Sequence, residues 1–193
     1  MHGSTNDFDE GKRTFLDLRN LIGGNSSDVE RFNESVVLNY SCKELYTIVS
    51  DVNSYSKFVP FCVESRILGK TSKPSPATKQ EQATSVVDAE LAIGFAALRE
   101  TYVSEVSMRP DDFVKARAKP SALFNELSTT WQFTALPPKQ QKPRTRVDFS
   151  LQYSFANQLH ATLARQTFRS LSTKMIDAFA LRAQTLYSKR NSP

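Results

Sequence analysis

The sequence predicts an α+β domain in which a curved antiparallel sheet wraps around one long C-terminal helix. Three observations carry this prediction. Several segments alternate apolar and polar residues with a period of two, the pattern of half-buried antiparallel strands. From Asn157 to about Lys189 there is no Gly and no Pro, and the apolar residues recur at helical spacing. The strand-like segments also run consecutively instead of alternating one for one with helices, which favours α+β layering.

Residues 1–31 read as an N-terminal extension and residues 32–193 as the domain. The extension mixes acids and bases, and Gly23-Gly24-Asn25-Ser26-Ser27 has linker composition. An intact mitochondrial presequence is Arg-rich and acid-poor, so any targeting segment here would be atypical or a trimmed remnant. Val36, Leu38 and Tyr40 alternate as a first strand. Ser41-Cys42-Lys43-Glu44 has the spacing of a capping box, and Leu45, Ile48 and Val49 supply the apolar stripe of a short helix. Asp51 to Ser54 reads as a turn or a second cap.

Cys62 to Leu68 is the next strand, and the Pro-containing stretch Lys70 to Gln82 a surface loop. Val87, Ala89, Leu91, Ile93 and Phe95 then share one face, with Asp88 and Glu90 on the other. Gly94 interrupts this strand, which calls for a bend or a close backbone approach. Tyr102, Ser104, Val106 and Met108 form a further row, and Phe113 to Ala118 a short basic strand. Leu127, Thr129, Trp131 and Phe133 follow. Pro137-Pro138 through Pro143 is expected to be a loop. Beyond it Val147, Phe149, Leu151, Tyr153 and Phe155 alternate strictly. The final helix, with Asn157 as a candidate cap, presents Ala164, Phe168, Leu171, Met175, Phe179, Ala183 and Leu186 on one face. A helix of that length needs a whole sheet to lie in. A hollow remains between the two wherever inward residues do not fill it.

The composition excludes several chemistries. His2 and His160 are the only histidines, and Cys42 and Cys62 the only cysteines. A zinc site of four cysteines or three histidines cannot be assembled, and no metal site is expected. Four of six glycines lie in the first thirty positions, so no Gly-rich phosphate loop exists. No apolar run approaches the roughly 18 residues of a spanning helix. The net charge is +5; the segment Asn157–Arg190, with Arg165, Arg169, Lys174, Arg182, Lys189 and Arg190 against Asp177, accounts for all of it.

Taken in order, these motifs resemble the coenzyme Q-binding protein family of the START-like, polyketide cyclase-related superfamily. The resemblance runs from about Tyr40 to Tyr187. It is carried by Tyr55-Ser56-Lys57-Phe58-Val59-Pro60-Phe61-Cys62, Ala89 to Phe95, Glu100 to Val106, Leu123 to Leu127, Trp131-Gln132-Phe133, Asp148-Phe149-Ser150, and Met175, Ala178-Phe179 and Arg182-Ala183. The family usually has Trp where this chain has Phe61. The resemblance implies a helix-grip fold with an apolar tunnel that binds ubiquinone or a related polyprenyl lipid. It implies a lipid chaperone, not an enzyme, on the matrix side of the mitochondrial inner membrane, supporting respiration and efficient coenzyme Q biosynthesis. Ubiquinone is then a ligand, with no cofactor. The coenzyme Q biosynthetic complex becomes a candidate partner, and DNA does not.

The candidate tunnel lining is Val59, Pro60, Phe61, Leu91, Ile93, Phe95, Tyr102, Phe124, Trp131, Phe149, Phe168, Met175 and Phe179. Any one aromatic could equally be ordinary core; together they suit a flat quinone ring, which stacks on aromatic faces. Tyr102 and Trp131 each carry a polar atom able to hydrogen-bond a quinone oxygen. Glu100 shares the strand parity of Tyr102 and is expected at the rim, paired with Arg99 or another base. Cys62 is expected to be an inert buried thiol. Arg165, Arg169, Lys174 and Arg182 are candidates for contact with anionic lipid, against the plainer alternative of a solvated helix face. Two other functions stay open. A ribosome- or RNA-associated module is one, since similar bacterial proteins include ribosome association toxins and the chain is basic. A cyclase-type enzyme is the other, with Glu100, Tyr102 and Ser104 as its available polar groups.

Overall fold

The first two strands in sequence lie at opposite edges of one sheet. A computed structural model describes residues 29–70, 84–95, 98–156 and 158–187; the side chains of residues 70, 95, 98 and 158–172 lie outside that description. The elements are β1 (Glu30–Leu38), α1 (Cys42–Ser50), a 3-10 segment (Val52–Lys57), β2 (Cys62–Lys70), β3 (Ser85–Phe95), β4 (Leu98–Arg109), β5 (Phe113–Ala118), β6 (Phe124–Lys139), β7 (Lys142–Phe155) and α2 (Gln158–Tyr187). The seven strands form one antiparallel sheet in the order β1-β7-β6-β5-β4-β3-β2. Six inter-strand gaps of about 4.8 Å separate β1 from β2, roughly 29 Å. The connection through α1 and the 3-10 segment must therefore cross the sheet face, and it forms part of the layer above the sheet.

That connection is fixed locally at both ends. Ser41 Oγ accepts from Glu44 N–H at 3.3 Å, and the Glu44 carboxylate accepts from Ser41 N–H at 2.9 Å, closing the expected capping box. Leu45, Ile48 and Val49 are buried against the sheet. Of the two readings of Asp51 to Ser54, the cap holds in position: Asp51 is the N-cap of the 3-10 segment, without a side-chain cap bond, and Val52 to Ser54 begin the segment. Its three-residue period aligns Val52, Tyr55 and Phe58 on one side. Asn53 Oδ1 accepts from the edge amide of Ile67 at 2.8 Å, and Ser65 Oγ accepts from Ser56 N–H at 3.1 Å. These bonds tie the crossing segment to edge strand β2.

Two boundaries depart from the sequence reading, and a third stretch lies outside the description. β1 begins at Glu30, so the domain includes the last residues assigned to the extension; residues 1–28, including the linker, lie outside the described residues. The Lys70–Gln82 loop also lies almost wholly outside them. The Pro137–Pro143 stretch is not a loop. β6 and β7 continue through it and turn at Gln140-Gln141, both with positive φ (51° and 64°). Pro137 and Pro138 fall where the register shifts between Leu136 and Lys139, a bulge at which a missing amide costs no ladder bond.

The 30 residues of α2 span about 45 Å at 1.5 Å per residue. Its described buried face is Ile176, Phe179 and Ala183. Leu186 is 46% exposed, contrary to expectation. Tyr187, one position on, turns inward instead. Its ring lies 6.1 Å from Tyr40, and its hydroxyl donates to Glu44 O at 3.4 Å. A 3.6-residue period carries the stripe from Ala183 to Tyr187 as readily as to Leu186, and these contacts decide between them.

The candidate ligand-binding cavity

Between the concave face of the sheet, the 3-10 segment and α2 lies a cavity of about 140 Å³. Strand parity builds most of its wall. Leu91 and Ile93 come from β3, Tyr102, Ser104 and Val106 from β4, Val114 and Ala116 from β5, Leu127, Thr129 and Trp131 from β6, and Phe149 and Leu151 from β7. Phe124 closes one end of β6. The crossing segment and the turn after it contribute Val52, Tyr55, Val59, Pro60 and Phe61, β2 contributes Cys62, and α2 contributes Met175 and Phe179.

Eleven of the thirteen residues proposed as tunnel lining border this one hollow. The remaining two, Phe95 and Phe168, lie outside the described side chains, as do Arg165 and Arg169. Glu100 stands opposite Ile93 in the ladder but is not part of the lining. Its expected partner Arg99 binds Glu64 instead, at 2.5 Å. Lys174 is exposed. Arg182 is half-buried with its guanidinium 5.5 Å from the centre of the Phe58 ring, so it caps an aromatic cluster. Residues missed from sequence include Val52, Tyr55, Val106, Val114 and Leu151. Strand parity with Tyr102 or Trp131 could have found the strand members. The three-residue step from Val52 to Tyr55 was the signal for the others.

The walls are held by aromatic contacts that converge on Phe179. Its ring meets Phe58 at 5.0 Å and Tyr55 at 5.4 Å edge-on, and Trp131 at 4.6 Å. Trp131 in turn lies 4.4 Å from Phe149, and Tyr102 meets Phe124 edge-on at 5.6 Å. Such pairs contribute about 0.5–1.5 kcal/mol each beyond the area they bury. One residue of α2 thus joins the helix to the sheet and to the crossing segment.

The polar groups on this surface are few and uncharged. Tyr55 donates its hydroxyl to Val49 O. Tyr102 borders the hollow, and no described residue hydrogen-bonds its hydroxyl. Burial, and secondarily the nearby Cys62, holds the Tyr102 phenol well above the ordinary range. Burial does the same to Tyr55, with smaller contributions from Asp51, Cys62 and Tyr102. Burial also raises the Cys62 thiol, only partly offset by hydrogen bonds involving Ser65 and Glu64. All three therefore remain neutral near pH 7. No Asp, Glu, His, Lys or Arg is among the described lining residues. Among the described residues no group of His, Cys, Asp and Glu could hold a metal ion, and no helix is long and apolar enough to cross a membrane.

A curved sheet closed by a long helix over an apolar hollow defines a START-like helix-grip protein. The family model for polyketide cyclase/dehydrase and lipid transport matches residues 38–180. The mitochondrial coenzyme Q-binding protein homologue B of Xenopus laevis is 35% identical over 182 residues, covering 94% of this chain and 68% of that one. A ribosome association toxin of Escherichia coli is 28% identical over 160 residues, covering 83% and 90%. Among solved structures, the Zhui aromatase/cyclase of Streptomyces superimposes with a TM-score of 0.61 at 12% identity, covering 81% of this chain and 94% of that one. That likeness is one of fold. The chain belongs to the coenzyme Q-binding family of START-like, polyketide cyclase-related proteins.

Proposed function

We propose that this protein binds ubiquinone by its ring and acts as a lipid chaperone at the matrix face of the mitochondrial inner membrane, without chemistry of its own. The observation that carries the reading is the cavity itself: about 140 Å³, walled by Trp131, Phe149, Phe124 and Phe179, with Tyr102 among its lining residues. Engineered apolar cavities of about 150 Å³ admit a benzene ring, so this volume suits one six-membered ring. A quinone offers flat faces to the aromatic walls and carbonyl oxygens to the phenol. Tyr102, kept protonated by burial, is suited to donate to such an oxygen. The polyprenyl tail would leave through the rim at Val59-Pro60-Phe61. A cavity without described acids or bases suits binding better than cyclase chemistry, which needs placed proton donors and acceptors. The mitochondrial assignment rests on the names of the coenzyme Q-binding relatives.

The test is extraction of purified protein into organic solvent followed by mass spectrometry, together with titration of decylubiquinone. Trp131 is the only tryptophan and borders the cavity, so its fluorescence reports occupancy. Ubiquinone in the extract and saturable quenching are expected. Absence of both would sink the reading. The resemblance to ribosome association toxins supports a second reading, ribosome contact. Co-sedimentation with ribosomes that falls steeply with salt would favour it.

A further inference from the structure

The rim of the cavity contains a residue in the wrong conformation for its type. Cys62 N–H donates to Val59 O at 3.2 Å, closing a four-residue turn with Pro60 and Phe61 at its centre. Phe61 has φ of 62°. Proline followed by a positive φ is the pattern of a type II turn, whose second central position is ordinarily Gly. A side chain there crowds its own backbone, and a bulky aromatic one is an outlier.

The surroundings hold this conformation in place. Gly94 N–H donates to Phe61 O at 2.9 Å, and the β2–β3 register shifts between Cys62 and Glu64. A Cβ at Gly94 would sit 3.0 Å from Val63 Cγ1, so the glycine leaves room for the side chain just beyond the turn. Phe61 borders the cavity and is also half-exposed, so it stands between the hollow and solvent. Strain kept at a rim, where Gly would remove it, points to a task that only the side chain can perform.

We propose that Phe61 is the gate and a specificity-determining residue of the cavity: the strained turn holds its ring across the mouth, where it closes on the face of a flat apolar ligand. The inference rests on the quinone-binding reading for the ligand's identity, but not for the gate. Phe61→Gly removes both ring and strain, Phe61→Ala removes the ring and keeps the strain, and Phe61→Trp keeps a ring.

Decylubiquinone release is followed by recovery of Trp131 fluorescence, with calorimetric titration for the Trp variant. Release from the Gly and Ala variants is expected to be faster by about tenfold or more, and the Trp variant to bind within about threefold of the native chain. The Gly variant is expected to melt above the Ala variant, which separates strain from lost packing. Native-like release from both small variants overturns the gate. A Gly variant that melts no higher than the Ala variant overturns the stored strain. If the native chain binds no decylubiquinone, the quinone reading fails, and 1-anilinonaphthalene-8-sulfonate becomes the probe. Equal dye release from the native chain and the Gly variant then overturns the gate on its own.

Discussion

Tyr102 and Cys62 owe their character to what surrounds them. A phenol and a thiol next to Leu91, Ile93 and Phe124 lose hydration when they ionise, so both keep their protons. With Tyr55 they favour the protonated state in the fold. Their contribution to stability is intact at neutral pH and is lost as pH climbs past the ordinary thiol and phenol values of 9.0 and 10.0. Urea unfolding midpoints should therefore fall between pH 8 and pH 10.5, and the double change Tyr55→Phe with Tyr102→Phe should lessen that fall. Tyr102→Phe alone should weaken quinone binding by about 1 kcal/mol, roughly fivefold by calorimetry, and leave the melting temperature nearly unchanged. Sequence parity put Tyr102 on the inner face, together with Leu91, Ile93 and Trp131. Nothing in the sequence announced that Arg99 would prefer Glu64 to Glu100, because that choice depends on a neighbouring strand and not on spacing along one.

Among the elements, α1 and the β6–β7 hairpin mark the two extremes of legibility. The Ser41–Glu44 capping box is a local arrangement, complete within four residues, and it reads directly from sequence. Ser41→Ala should lower stability by about 1 kcal/mol, visible as a shifted denaturant midpoint at unchanged slope. The hairpin was illegible for a physical reason. Two-residue hairpin turns favour Asn-Gly or Asp-Gly, and here Gln140 and Gln141 adopt the left-handed conformation between three prolines. The prolines read as loop, yet a bulge absorbs them. On α2 the periodicity selected Met175 and Phe179, and both border the cavity. It could not choose between Leu186 and Tyr187, which are separated by a single residue and distinguished only by contact with Tyr40 and Glu44.

At the scale of the molecule, alternation and one long helical face sufficed to give a curved sheet holding a helix. They did not give the strand order, because pairing between distant segments leaves no mark on either segment alone. The consequence of that order is that Phe179, on α2, meets both the sheet and the crossing segment at once. Phe179→Ala should cost about 3–5 kcal/mol in chemical denaturation and abolish ligand binding even where the protein remains folded. The hairpin acquires a further meaning from the same topology. Antiparallel pairing places Gln140-Gln141 at one end of the sheet, whereas Cys62, Ile93 and the rim at Phe61 lie at the other. The molecule accordingly has a bow and a stern. If the rim is pressed against a bilayer to receive a quinone, the β6–β7 hairpin lies at the far end of the sheet, in the aqueous compartment. Cargo would then enter at one end of the sheet and leave the hairpin end uncovered.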